Sequence, residues 1–262
     1  MAPSSDQEKS IPPPRIVDWI FTIPFLIVFG SVLLVFDPIQ RVARLFGQRP
    51  HEISVGVMQH LLIYSFKVAG MSLSVDRSPK VLPGTPYIII SNHQSMLDIP
   101  IFGGLLFSNF PKYVSKKSLA SGIPSISYNL RVGGNALIDR ADRTQARQAI
   151  RALGERAQAR GVSAVIYPEG TRSRTGELGA FKPGGTITLL EAAPDLEVVA
   201  ATIDGSWQML LHNLLPVPFG VKVRVTFGDP IARRPDLAPQ EILETCHDAI
   251  TDNLQRWRNE GR

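Results

Sequence analysis

Disulfide chemistry within this chain is excluded, because its 262 residues contain a single cysteine, Cys246. The same scarcity removes any cysteine-rich zinc site, and it fits a reducing compartment. No internal repeat or low-complexity tract is visible. No glycine-bracketed loop ends in Gly-Lys-Ser or Gly-Lys-Thr, which excludes a Walker-type nucleotide loop. Aromatics are only 8% of the chain and are not interleaved with the basic residues, so nucleic acid is not the expected partner. Charge is missing altogether from Trp19 to Phe36.

What is present is a modest basic excess, net +5, and 44% hydrophobic residues concentrated toward the amino terminus. The positive balance favours anionic partners without choosing among phosphorylated substrates, anionic lipid surfaces and nucleic acid. Residues 1–15 read as a disordered, polar, proline-rich tail. Residues 16–78 read as two membrane-associated helices. The uncharged run from Trp19 to Phe36 sits at the lower limit for a span, and Arg41, Arg44 and Arg49 follow it. A second apolar stretch, Ile53 to Val75, is interrupted by Gln59, His60 and Lys67. Two arrangements fit: a span that leaves the rest in the cytoplasm, or a hairpin lying in the membrane interface. Ordinary core helices are the third possibility. Pro24 and Gly30 suit the hairpin. A secretory signal is not expected, since Asp6 and Glu8 spoil a basic leader.

Residues 79–262 alternate short β-rich runs with helical stretches. Strands are expected at Tyr87–Ile90, Lys112–Ser115, Ala136–Ile138, Ser163–Tyr167, Val198–Thr202 and Lys222–Phe227. Helices are expected near Leu97–Phe107, Leu119–Leu130, Asp142–Arg160, Thr186–Ala193 and Pro239–Arg258. This order predicts an α/β domain with a mostly parallel central sheet flanked by helices. Ligands in such sheets sit beyond the carboxyl ends of strands.

Several polar motifs fall at those positions. Asn92-His93-Gln94-Ser95-Met96-Leu97-Asp98 follows the first expected strand. Ser91 or Asn92 is placed to cap a helix, with His93 near its start and Asp98 one turn deeper. A carboxylate there can accept one imidazole proton and leave the other nitrogen as a base. Read alone, the pair is more often a surface histidine followed by an ordinary first-turn acid. Gly133-Gly134-Asn135-Ala136-Leu137-Ile138-Asp139-Arg140 is a tight turn, a buried strand and an emerging ion pair. Glu169-Gly170-Thr171-Arg172 follows a fourth apolar run, and Arg172 suits bidentate phosphate binding. Lys116 or Lys117 can reach a phosphate or simply face water. Arg143, Arg147 and Arg151 form a solvated or headgroup-facing stripe. Asp204-Gly205-Ser206-Trp207 has no derivable role.

In this order, the elements resemble the glycerolipid acyltransferase family, of the bacterial lysophosphatidic acid acyltransferase (1-acyl-sn-glycerol-3-phosphate acyltransferase) type. Its Asn-His-x4-Asp motif is matched by Asn92, His93 and Asp98, and its Gly-to-Asp-Arg run by Gly134 through Arg140. Its Glu-Gly-Thr-Arg motif is matched by Glu169, Gly170, Thr171 and Arg172, and its lysine pair by Lys116 and Lys117. The resemblance covers roughly residues 83–230. The family's fourth motif carries a proline after an apolar strand, which Val198-Val199-Ala200-Ala201-Thr202 lacks.

The resemblance implies transfer of an acyl group from acyl-CoA or acyl carrier protein to the free hydroxyl of lysophosphatidic acid, giving phosphatidic acid. His93 would be the base, oriented by Asp98. Arg172, with Lys117 or Lys116 and Arg140, would hold the acceptor phosphate, and Glu169 would order its loop. No metal and no cofactor are required. Two alternatives remain: another lysolipid acceptor such as lyso-ornithine lipid, or a non-enzymatic lipid-binding protein on the same fold. The expected location is the cytoplasmic face of a membrane (the inner membrane in a bacterium). On this reading, removal of residues 1–75 would leave a more soluble domain.

Overall fold

The computed structural model describes residues 11–261. The expected disorder of the amino-terminal tail therefore falls mostly outside the described residues. Two long helices come first, α1 (Ile16–Leu45) and α2 (Gln48–Val68). The α/β body follows, with helices α3 (Asp98–Leu105), α4 (Ile126–Val132), α5 (Arg143–Arg160), α6 (Pro183–Ala192) and α7 (Pro239–Asn259).

Seven strands form one sheet: β1 (Ser72–Arg77), β2 (Ile88–Ser91), β3 (Lys112–Lys116), β4 (Ala136–Ile138), β5 (Ala164–Ile166), β6 (Val198–Asp204) and β7 (Lys222–Phe227). Their order is β1-β7-β6-β2-β5-β3-β4, and every pair is parallel except β6 with β7. The expected mostly parallel α/β sheet is present.

The central strands are continuous β-branched runs because both faces of the sheet are covered. Ile89, Val165, Val199, Ala201 and Ile203 point to a core shared with α1, α2 and α3. Ile88, Ile90, Ala164, Ile166, Val198 and Ala200 point to the opposite core, under α5, α6 and α7.

The expected boundary at residue 78 moves. Strand β1 pairs in register with β7 from Ser72↔Lys222 to Arg77↔Phe227, so the sheet begins at residue 72. Helix α2 is likewise part of the body. Its Glu52 is buried and takes ion pairs from Lys112 (3.0 Å) and Arg160 (2.8 Å). Excision of residues 1–75 would thus remove most of an edge strand and a core helix, not an appendage.

Helix α1 runs uninterrupted through Pro24, Gly30 and Pro38. It is clasped at two levels. Asp18 accepts the Phe219 amide (2.8 Å) and Thr22 accepts the Val217 amide (2.8 Å). Further along, Asp37 accepts the Ser125 amide (2.7 Å), and the Ser125 hydroxyl donates to the Leu33 carbonyl. Phe25, Leu33 and Phe36 are buried, whereas Ile16, Ile20, Ile23, Ile27, Leu34 and Val35 form an exposed apolar flank. Helix α1 is thus long and apolar enough to cross a membrane, yet one side of it packs on the body.

Candidate active site

Strands β2, β5, β3 and β4 are adjacent and parallel, so their carboxyl ends share one edge. His93 follows β2, Glu169 to Arg172 follow β5, Lys116 ends β3 with Lys117 directly after it, and Asp139-Arg140 follow β4. The sheet topology thereby gathers motifs scattered over just under a third of the chain.

Asn92 fixes the exit from β2. Its side-chain amide donates to the Ile203 carbonyl (2.8 Å), and its oxygen accepts the Ile203 amide (2.9 Å). The expected capping role for Ser91 or Asn92 does not hold. Asp98 itself opens α3, and His93 lies in the preceding turn. The cause is local: the Asp98 Oδ2 atom accepts the backbone N–H groups of Gln94 (2.7 Å) and Ser95 (2.9 Å), wrapping residues 93–97 around the carboxylate.

The same Oδ2 lies 2.8 Å from Nδ1 of His93. A carboxylate oxygen already accepting two amides can only accept again, so Nδ1 carries the proton and Nε2 is left with its lone pair. Asp98 is fully buried and the His93 side chain is 12% exposed. The ring of Tyr167 stacks on the imidazole, centroids 4.1 Å apart and 14° from parallel. Burial pushes the Tyr167 phenol well above its ordinary value, with Asp98's charge adding to the effect, so the stacked ring is neutral.

The loop after β5 is stitched to the His93 turn. Glu169 is buried; its Oε1 accepts the His93 amide (2.7 Å) and its Oε2 the Gly179 amide (2.8 Å). Burial pushes the Glu169 carboxyl up, against the pull of those two donors and of His93. Gly170 turns the chain at φ +69°, a left-handed conformation that glycine adopts without strain. Ser173 then donates its amide to the His93 carbonyl (2.8 Å), which sets the Arg172 backbone beside His93. Thr171 and Arg172 are exposed. Lys182 donates its amide to Pro168 (2.9 Å) and runs its side chain past Gly170, adding a cation to the loop.

Lys116, Lys117 and Arg140 are exposed at neighbouring strand ends. Lys112 is not part of this group: it is buried against Glu52 on the body's far structural network. What emerges is an imidazole held through Nδ1 by a buried carboxylate, at an edge rimmed with cations.

Sequence reasoning missed the back wall of the site. Gln94 donates to Asp204 Oδ1 (3.0 Å), and Ser206 donates to Asp98 Oδ1. The only signal was Asp204-Gly205-Ser206-Trp207 at the end of β6, a polar cluster with nothing beside it in sequence to explain it.

A family model described as Acyltransferase matches residues 73–204, just over half of the chain. The chain is 28% identical over 211 residues to the chloroplastic 1-acyl-sn-glycerol-3-phosphate acyltransferase LPAT1 of Arabidopsis thaliana, covering 80% of this chain and 55% of that protein. It is 26% identical over 190 residues to 1-acyl-sn-glycerol-3-phosphate acyltransferase beta of Homo sapiens, covering 72% and 67%. With the Pseudomonas aeruginosa 1-acyl-sn-glycerol-3-phosphate acyltransferase it shares 27% over 140 residues, covering 53% of each. The matched stretch thus spans about half the length of several of these relatives. Among solved structures, the 1-acyl-sn-glycerophosphate acyltransferase PlsC from Thermotoga maritima has the same fold. Its TM-score is 0.72 at 19% identity, over 94% of this chain and 98% of that one.

Proposed function

The chain belongs to the Acyltransferase family, and from that premise we propose that it moves a fatty acyl group from a thioester, acyl-CoA or acyl carrier protein, to the free hydroxyl of lysophosphatidic acid, yielding phosphatidic acid. The observation that carries this reading is the 2.8 Å contact of His93 Nδ1 with buried Asp98, which leaves Nε2 as an acceptor. Nε2 takes the hydroxyl proton as the oxygen attacks the thioester carbon. The tetrahedral intermediate collapses, the carbon–sulfur bond breaks, and the thiolate recovers the proton from the imidazolium. Asp98 steadies that imidazolium throughout. No covalent acyl-enzyme and no cofactor are needed.

Arg172 is assigned to the acceptor phosphate, with Lys116, Lys117 and Arg140 completing a positive rim. Gly170 and Thr171 supply the turn that carries Arg172, and Glu169 locks that turn to His93. A planar guanidinium suits a phosphate better than a lone ammonium does.

The exposed apolar flank of α1 is assigned to the lipid bilayer, on the cytoplasmic side. The helix lies in the interface and does not cross, because a crossing would break its contacts to Val217, Phe219 and Ser125. Docking spares the enzyme the extraction of a long-chain acceptor into water, which costs about 0.8 kcal/mol per methylene.

The test is an assay on vesicles with lysophosphatidic acid and either acyl-CoA or acyl carrier protein thioester, following phosphatidic acid and released thiol. His93→Ala should lower turnover roughly a hundred- to ten-thousandfold. Near-normal turnover in that variant refutes the base. Thiol release only with lyso-ornithine lipid or another lysolipid would transfer the mechanism to that acceptor. A wild-type protein that binds lipid and releases no thiol would be a binder.

A further inference from the structure

The carboxylate of Asp98 has two oxygens with different work. Oδ2 is fully subscribed: it accepts the amides of Gln94 and Ser95 and faces His93 Nδ1. Oδ1 meets the hydroxyl of Ser95 only at 3.4 Å, and that hydroxyl is also the acceptor for the Leu97 amide at 3.0 Å. The close partner of Oδ1 is the hydroxyl of Ser206, which comes from 108 residues away. Both side chains are fully buried, so water does not substitute for either.

The chain goes out of its way to put this hydroxyl there. Strand β6 ends at Asp204, and Gly205 then turns at φ +91° directly against strand β7. A Cβ at Gly205 would lie 2.0 Å from the Lys222 carbonyl oxygen, so no other residue fits without movement of β7. Ser206 opens the short 3-10 turn Ser206–Leu210 immediately afterwards. The neighbouring Asp204 is bonded to Gln94 of the His93 turn. The segment after β6 is thus docked onto the base turn at two adjacent points.

We propose that Ser206 is a positioning residue for the base: its hydroxyl holds Oδ1 of Asp98 so that Oδ2 stays aimed at Nδ1 of His93. It touches neither substrate nor the reacting atoms. Without it, Oδ1 is a buried acceptor with one long contact, and the pose of the carboxylate rests on the bonds to Oδ2 alone. The groups facing the imidazole are then Asp98 in an altered pose, Glu169 through the backbone, and the stacked Tyr167. The inference rests on the acyl-transfer reading only for its kinetic arm.

Two variants and two readouts test it. Ser206→Ala should lower kcat for acyl transfer about 10- to 100-fold while the KM of acceptor and donor stays within about twofold. Ser206→Thr restores the hydroxyl and should recover kcat to within about threefold. Independently of any substrate, the His93 titration midpoint, followed by nuclear magnetic resonance in histidine-labelled protein and assigned with His93→Ala, should move by about half a pH unit or more in Ser206→Ala. A midpoint in its wild-type place overturns the proposal. Equal losses in the Ala and Thr variants overturn it too, since the hydroxyl would not be the agent. If wild type transfers no acyl group but the midpoint still moves, the acyl-transfer reading fails and the positioning role stands.

Discussion

Glu169 holds His93 by its backbone: the carboxylate accepts the His93 amide at 2.7 Å across 76 residues of chain. Its other oxygen accepts Gly179, so one side chain binds the His93 turn to both ends of the loop that carries Arg172.

Glu169→Gln keeps the shape and spoils the pattern, because a carboxamide offers one acceptor where two amides need one each. One buried N–H then faces an NH2 group, at a cost of about 1–3 kcal/mol. The expected outcome is a lower melting temperature together with a fall in kcat and a rise in acceptor KM, since base and clamp both shift. Kinetics and thermal melts on the same preparation check this. A change in stability alone would separate the carboxylate from catalysis.

Arg172 is exposed and its backbone lies beside His93, so its loss should leave the His93–Asp98 pair untouched. Removal of a charge-assisted bond to phosphate is worth about 1.5–3 kcal/mol, roughly 10- to 100-fold in acceptor KM with kcat little changed. The control is an acceptor without phosphate, a monoacylglycerol. With it, Arg172→Ala and wild type should converge. If they differ as widely as with lysophosphatidic acid, the phosphate assignment is wrong.

These residues were legible to unequal degrees. The strands β2, β5 and β6 stood out because burial on both faces leaves uninterrupted β-branched runs. Strand β1 did not, because its edge position leaves Ser72, Ser74 and Asp76 partly or wholly exposed, and it reads as the end of the preceding apolar stretch. The stretch Leu119–Leu130 reads as one helix, but Gly122 at φ +86° and Pro124 divide it into a 3-10 turn and α4. His93, Asp98 and Glu169 were readable because each belongs to a compact motif. Ser206 was not, because its partner is 108 residues away and only the fold brings them together.

Glu52 gives a test of the claim that α2 belongs to the body. It is buried between Lys112 and Arg160, and burial pushes the Lys112 ammonium down while Glu52 pulls it up. Glu52→Gln leaves a buried ammonium without its counter-charge, which costs about 3–5 kcal/mol. The melting temperature should fall by several degrees or the protein should fail to accumulate. A melt like that of wild type would mean α2 contributes little to the body.

The bilayer reading is tested on the flank of α1, not by truncation. Ile20, Ile23 and Ile27 are each about three-fifths exposed, so serine there leaves the packed side alone. Burial of an isoleucine side chain is worth about 1.5–3 kcal/mol. The triple serine variant should therefore lose tenfold or more in vesicle association by sedimentation, while its melting temperature is unchanged. Unchanged association would place the bilayer contact elsewhere.

The clasp at the start of α1 has its own pH signature. Burial by itself would raise the Asp18 carboxyl, but the bonds from Arg15 and from the Phe219 and Arg15 amides bring it from 3.8 to about 2. A carboxyl depressed on folding stabilises the protein above its unfolded value, and that stabilisation drains away as pH falls through the folded value. The gap in melting temperature between wild type and Asp18→Asn should thus be widest near neutral pH and close between about pH 4 and about pH 2. Arg15 retains its charge over this interval, so the closing gap reports Asp18 alone. A gap that persists undiminished at the acid end would show that shape, and not charge, fastens α1 to the loop at Val217 and Phe219.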